Sequence, residues 1–143
     1  MKKPFILLAL SALVVGCNEF SGESLRTSFP IEIQNSQILF AEQEYFVCAL
    51  AAVERQSQYE IGTLPSGFSD WESLPIRGNV NENSIIYRIL DAGDECWTNN
   101  AVSRTDASSI WDYDTRTTGY FANRGDVLVI FDAENSIYLI VEG

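Results

Sequence analysis

Two aspartates separated by one residue form the sharpest acidic cluster of this sequence, Asp112-Tyr113-Asp114. On a β-strand the two carboxylates would share one face and lie about 7 Å apart. That separation suits a general acid and a general base, or a hard cation such as Ca²⁺. The Asp-rich calcium loop needs Asn or Asp at its fifth position and Gly at its sixth, where this chain has Arg116 and Thr117. We therefore expect a solvated acidic loop without a metal ion, with a calcium site and a carboxylate-only hydrolase as the alternatives.

A second acidic cluster comprises Asp91, Asp94 and Glu95. Residues 91–94 read Asp-Ala-Gly-Asp, which is also a good turn sequence because Gly and Asp adopt turn conformations readily. We expect a solvated turn at this position as well.

The residue types that the chain lacks exclude most enzyme mechanisms. The sequence has no His, and its only lysines are Lys2 and Lys3. A Ser-His dyad is therefore excluded, and the body of the chain offers no lysine base and no Schiff-base lysine. It also has neither a Gly-x-Ser-x-Gly elbow nor a phosphate-binding Gly loop. We expect a protein that is not an enzyme and holds no cofactor.

The N-terminal segment begins with two lysines, which precede an apolar run at residues 5–15. This run has the length of a secretion-signal core and is too short for a membrane-spanning helix of roughly 20 residues. It ends in Leu-Val-Val-Gly-Cys at residues 13–17, which resembles the lipobox of bacterial lipoproteins, with Gly16 and Cys17 as the best-matching positions. The resemblance implies that residues 1–16 are a lipoprotein signal peptide and that Cys17 is lipidated. Ordinary secretory cleavage, leaving a soluble periplasmic protein, is the alternative.

The same resemblance implies a location and a domain organisation. The residue after the cysteine is Asn18 rather than Asp, which in lipoproteins favours the outer membrane over retention in the inner membrane. The mature chain would run over residues 17–143. Its polar start, residues 17–29, is predicted to be the lipidated cysteine and a flexible tether, and residues 30–143 are predicted to form one globular domain.

The charge of the mature chain excludes two classes of partner. Loss of the two N-terminal lysines leaves seven arginines against 20 carboxylates, a net charge of −13 instead of −11. Nucleic-acid binding depends on basic charge and is therefore not expected. Electrostatic adhesion to anionic lipid is excluded for the same reason, so contact with the bilayer must come from the acyl chains on Cys17. A basic protein is the partner that this charge would attract.

Two cysteines remain once Cys17 is assigned to lipidation, at Cys48 and Cys96. In an oxidising compartment such a pair is expected to form a disulfide. Closing a loop of this length stabilises a fold by roughly 4 kcal/mol on the chain-entropy model. A free reactive thiol is the alternative.

Several aromatic side chains fall in the less regular middle of the chain. Trp and Tyr are enriched at the energetic centres of protein interfaces. The candidate binding surface predicted on this basis consists of Trp71, Trp97, Trp111, Asp112, Tyr113 and Asp114.

One helix is predicted over residues 42–56. Apolar residues recur there with the spacing of one helix face, at Phe46, Ala49, Leu50 and Val53. A strand at residues 45–48 is the alternative.

The rest of the chain is predicted to form strands and loops. Short strands are expected at residues 31–33, 37–40, 84–90, 111–114 and 119–122. Residues 127–131 and 136–141 predict a hairpin that is apolar on both faces and therefore central in its sheet and covered on both sides. The predicted fold is α+β, a mostly antiparallel sheet with one helix packed on it in a single small domain.

These features favour an outer-membrane-anchored lipoprotein with a non-catalytic, acidic binding domain. The first subclass is an inhibitor or immunity protein against a cationic cell-wall-degrading enzyme. An envelope structural or assembly accessory lipoprotein is the alternative from a different class.

Overall fold

The hairpin at the C-terminus lies at the centre of an antiparallel sheet. The computed structural model describes residues 25–43, 47–53, 61–99 and 107–143 of the chain. In this part the sheet has six strands in the order β1-β2-β6-β5-β4-β3, all antiparallel, with one α-helix packed on it in a single small domain. The strands are β1 (Ile38–Gln43), β2 (Val47–Ala52), β3 (Glu72–Ser73), β4 (Gly119–Arg124), β5 (Val127–Asp132) and β6 (Ile137–Glu142), and the helix is α1 (Ile85–Asn99). The α+β class predicted from sequence is confirmed.

Strands β5 and β6 confirm the predicted hairpin. All six residues of β5 and the first five of β6 are buried, as expected for strands that lie between neighbours and under two layers. Leu128 and Ile130 pack on one side of the sheet, whereas Val129 and Phe131 pack on the other. Because successive side chains of these apolar strands project to opposite faces, each strand contributes to two separate cores.

The helix predicted over residues 42–56 is wrong, and the strand alternative is correct for residues 47–48. Strand β2 lies between β1 and β6, with Cys48 and Leu50 on one side of the sheet and Ala49 and Ala51 on the other. A fully apolar run satisfies the helical spacing and the period of two of a strand equally well. The sequence pattern therefore did not distinguish a helix from a strand here. Residues 44–46 and 54–60 lie outside the described part.

The strand predicted at residues 84–90 is also wrong, because these residues begin α1. The side chains of Ile86, Ile89 and Leu90 are buried with helical spacing, and Trp97 continues the same face. The predicted turn at residues 91–94 is helical as well. A Cβ atom on Gly93 would lie 2.7 Å from a methyl group of Val141, so the absence of a side chain lets α1 lie close to β6.

Two further short strands predicted from sequence are 3₁₀ helices. They span Ile31–Ile33 and Ile110–Asp114. The strands predicted at 119–122 and 37–40 are confirmed as β4 and β1, with somewhat different ends.

The sheet is covered on both sides by the chain itself. We call the side under α1 and the 3₁₀ helix Ile110–Asp114 the helix side. The other, the N-terminal side, carries a core formed with Leu25, Phe29 and Ile33, and residues 61–71 pack beside it. The predicted tether is therefore wrong over residues 25–29, because Leu25 and Phe29 are almost completely buried.

Within the described ranges, no helix combines the length and the apolar character that crossing a membrane requires. The signal peptide, Cys17 and residues 18–24 lie outside those ranges.

Candidate functional site

The Asp112-Tyr113-Asp114 segment forms the end of a 3₁₀ helix, and its first carboxylate caps that helix. Ser109 is the N-cap, and its hydroxyl accepts a hydrogen bond from the Trp111 amide at 3.2 Å. The Asp112 carboxylate accepts in return from the amides of Ser108 (2.6 Å) and Ser109 (3.1 Å). This reciprocal capping box satisfies the free amides at the start of the helix. The Asp112 carboxylate therefore serves as a cap of the helix to which it belongs.

The second carboxylate, Asp114, is buried and is held by two other parts of the chain. Its Oδ2 atom accepts a hydrogen bond from Nε of Arg77 at 2.9 Å and lies 2.7 Å from Nη2, so two guanidinium nitrogens converge on one carboxylate oxygen. Its Oδ1 atom accepts from the hydroxyl of Tyr87 on α1 at 2.9 Å. The Asp114 side chain is 5 % exposed and the Arg77 side chain 69 %, so the bridge joins a solvated cation to an enclosed anion.

The Tyr87 phenol of this cluster has a displaced pKa. Its pKa is raised above the usual 10.0, first by desolvation and then by its hydrogen bond to the Asp114 carboxylate. A raised pKa keeps the phenol protonated, which is opposite to what a nucleophile or a general base needs. The Tyr87 ring lies beside Trp111, with ring centroids 6.1 Å apart. The arrangement positions a hydrogen-bond donor and creates no base.

The arrangement of the two carboxylates differs from the strand arrangement that the spacing suggested. Asp112 and Asp114 lie on a 3₁₀ helix and not on a strand, so they do not share a face in the way that the prediction assumed. Each carboxylate accepts hydrogen bonds from different neighbours. Among the described residues, no group of three or more His, Cys, Asp or Glu side chains could hold a metal ion.

The predicted binding surface is not one surface. Trp97 and Tyr113 are buried in the core on the helix side, where their rings meet edge to face at 6.3 Å. Trp111 is half-buried on that side, whereas Trp71 packs on the N-terminal side and donates its indole N–H to the Gly62 carbonyl at 2.8 Å. Sequence separation carried no information about which side of the sheet each aromatic would cover.

The second acidic cluster lies on α1. Asp91 is exposed, whereas the Asp94 carboxylate accepts a 2.5 Å hydrogen bond from the Ser109 hydroxyl and so ties α1 to the 3₁₀ helix. The side chain of Glu95 lies outside the described part.

Sequence analysis did not single out Asp132, the most enclosed charged residue among those described. It is 1 % exposed and accepts hydrogen bonds from the Tyr113 hydroxyl at 2.9 Å and from the amide of Asn135 at 3.0 Å. The side chain of Asn135 also donates to it at 2.8 Å, and Arg116 lies 3.7 Å away. Asp followed three residues later by Asn in a hairpin turn was the available signal, since Asp side chains commonly bond the backbone of such turns.

Cys48 is disulfide-bonded, in agreement with one half of the predicted pair. It is buried on the helix side, the side on which α1 packs, and Cys96 is a residue of α1. The side chain of Cys96 lies outside the described part, so the pairing of the two remains a prediction.

Comparisons of the chain with protein-family models, curated proteins and solved structures find no match.

Proposed function

We propose that this protein is a lipid-anchored envelope protein whose acidic domain binds a basic protein without catalysing a reaction. The observation that carries the proposal is the use made of Asp112 and Asp114. Both carboxylates that could have formed an acid–base pair accept hydrogen bonds that hold the fold together. A binding role needs no such pair.

The exposed carboxylates supply the second support. Glu82 is exposed in the turn before α1 and Asp91 is exposed on α1, while Asp70 and Glu72 are exposed next to and on β3. With a net charge of −11 over the whole chain, this surface attracts cationic partners and accelerates their encounter. The proposed partner is a cationic cell-wall-degrading enzyme, which the domain would inhibit.

The proposal places the protein at the outer membrane, held by acyl chains on Cys17. This part rests on the lipobox-like residues 13–17 and on Asn18. Replacement of Cys17 by Ser is expected to release the protein from the membrane fraction. Continued fractionation of Cys17→Ser with membranes would contradict the anchor.

The binding test uses a purified cationic muramidase and the full lipidated chain in mild detergent. We expect the protein to lower the turnover of peptidoglycan by the muramidase, with an affinity that falls as salt rises, because exposed charges are screened. The double variant Glu82→Gln with Asp91→Asn should weaken inhibition severalfold. Asp70→Asn with Glu72→Gln removes the same charge around β3, so a larger effect of the first pair would assign the interface to α1 and equal effects would assign the weakening to net charge.

Failure to inhibit the muramidase would change the proposed function. Absence of both binding and inhibition at low salt would overturn the inhibitor proposal and favour an envelope assembly role. A hydrolase would be indicated by turnover of envelope polymers that Asp112→Asn and Asp114→Asn abolish. Because both residues hold the fold, the stability of these variants must be measured beside their activity.

A further inference from the structure

The burial of Leu25 and Phe29 shortens the link between the proposed anchor and the domain. Both residues are about 1 % exposed, in the core of the N-terminal side. Residues 18–24 are thus all that separates Cys17 from Leu25, the first buried side chain of the described part. The eight Cα–Cα steps from Cys17 to Leu25 cover at most about 29 Å.

This length is short compared with the domain. A domain of about 120 residues has a radius of gyration near 13–14 Å, which corresponds to a sphere of about 17 Å radius. The shortest path around such a sphere, from one pole to a flat bilayer touching the opposite pole, is about 44 Å, or about one and a half times the maximal reach of the link. A chain that leaves near the middle of the N-terminal side therefore cannot let the helix side lie flat on the bilayer that holds Cys17.

We propose that this short link keeps the N-terminal side of the sheet facing the bilayer and the helix side facing away from it. The inference rests on the lipid anchor of the proposed function. In this orientation the lipid surface lies against the N-terminal side, and α1 remains accessible to a protein partner.

The two large exposed hydrophobic side chains among the described residues agree with this orientation. Ile31, 57 % exposed, belongs to the segment that covers the N-terminal side. Tyr120, 38 % exposed, is paired with Phe131, and residues paired across antiparallel strands project to the same side. Phe131 packs in the core of the N-terminal side, so both exposed side chains belong to it. A tyrosine with one wet and one apolar end is well suited to a membrane interface.

Attraction between charged side chains and the lipid head groups is not the cause of this orientation. Glu32 is exposed beside Ile31, and the hydrogen bond from the Thr63 hydroxyl holds the pKa of its carboxyl below 4.5, so it stays ionised. Asp70 is also exposed, next to Trp71, which packs on this side. Anionic lipid would repel these groups, which leaves the covalent link as the cause of the orientation.

The test measures the distance of backbone amides from lipid head groups. The full lipidated chain is placed in nanodiscs of zwitterionic lipid that carry a small fraction of gadolinium-chelating head groups, and the relaxation of amide signals is compared by NMR. We expect severalfold larger relaxation enhancement for residues 25–33 than for the exposed residues of α1, Arg88 and Asp91. Equal enhancement on both sides, or larger enhancement on α1, would overturn the inference.

A second arm separates this inference from the anchor itself. An unacylated chain is joined through the thiol of Cys17 to a maleimide lipid, so the orientation is tested even if the native chain proves not to be lipidated. A control with a long Gly/Ser insertion after Glu23 should lose the asymmetry between the two sides. Retention of the asymmetry in that control would show that the length of the link is not its cause and would overturn the proposal.

Discussion

The hydroxyl of Tyr113 donates a hydrogen bond to Oδ2 of Asp132 at 2.9 Å, and both residues are buried. The contact joins the 3₁₀ helix Ile110–Asp114 to the last residue of β5, at the start of the turn to β6. Tyr113 was a candidate for the binding surface, but it is buried and therefore contributes to the stability of the fold instead.

Removal of this hydroxyl should destabilise the fold. Tyr113→Phe leaves the enclosed Asp132 carboxylate without one donor, and we expect a loss of about 1–3 kcal/mol in the free energy of unfolding. Denaturant unfolding measures the difference. Tyr120→Phe, at an exposed position, is the control and should change the free energy by less than about 0.5 kcal/mol. Equal effects of the two variants would show that the Tyr113–Asp132 bond contributes nothing.

The segment before residue 30 should prove to be part of the domain. Phe29→Ala removes a buried ring from the core of the N-terminal side and should cost about 3–5 kcal/mol. Ile31→Ala, two residues along and mostly exposed, should cost about 0.5 kcal/mol. Thermal unfolding compares the two, together with a chain that begins at Pro30. If that chain unfolds at the temperature of the longer one, the boundary at residue 30 is correct after all.

The disulfide of Cys48 should have Cys96 as its partner. Digestion without reduction, followed by mass spectrometry, should yield one peptide pair that joins Cys48 to Cys96. The double variant Cys48→Ala with Cys96→Ala should lose about 2–4 kcal/mol of stability. A peptide pair joining Cys17 to Cys48 would contradict both this pairing and the lipidation of Cys17.

Glu142 should make the protein less stable at neutral pH than in mild acid. Burial raises its pKa above 4.5, and the neighbouring Asp126 carboxylate adds to the rise while Arg124 opposes it. The unfolded chain therefore releases this proton first, and the free energy of unfolding falls as the pH rises from 4.5 through the pKa of the folded state.

Glu142→Gln tests that dependence. We expect it to unfold at a higher temperature than the parent protein at pH 7, with the gain disappearing below pH 4.5. Partial exposure to solvent keeps the gain small. Glu72→Gln on β3 controls for the loss of one negative charge. An equal gain in both variants would assign the effect to net charge instead of the surroundings of Glu142.

The sequence by itself determined the class of the fold and its central hairpin. Residues 127–131 are apolar without interruption and end at turn residues, so they predict a strand covered on both sides, as β5 is. The absence of His and the shortage of Lys likewise limited the available chemistry without any structure.

Only the tertiary structure decided which apolar run became the helix. Residues 47–52 satisfy both periods, and the pairing of their backbone with β1 and β6 on either side makes them a strand. The run at residues 85–90 had the β-branched composition of a strand, yet it continues into a helix that buries Trp97 and uses Gly93 to approach β6. Packing against neighbours outweighs such weak local preferences.

The structural role of the candidate carboxylates was also decided by tertiary contacts. Asp114 is held by Arg77 and Tyr87, which are 37 and 27 residues away in the chain. Leu25 and Phe29, in a segment that looked like a linker, are buried because the second side of an all-apolar hairpin needs a cover. A local pattern shows that such a cover is required, but which distant residues provide it depends on how the whole chain packs.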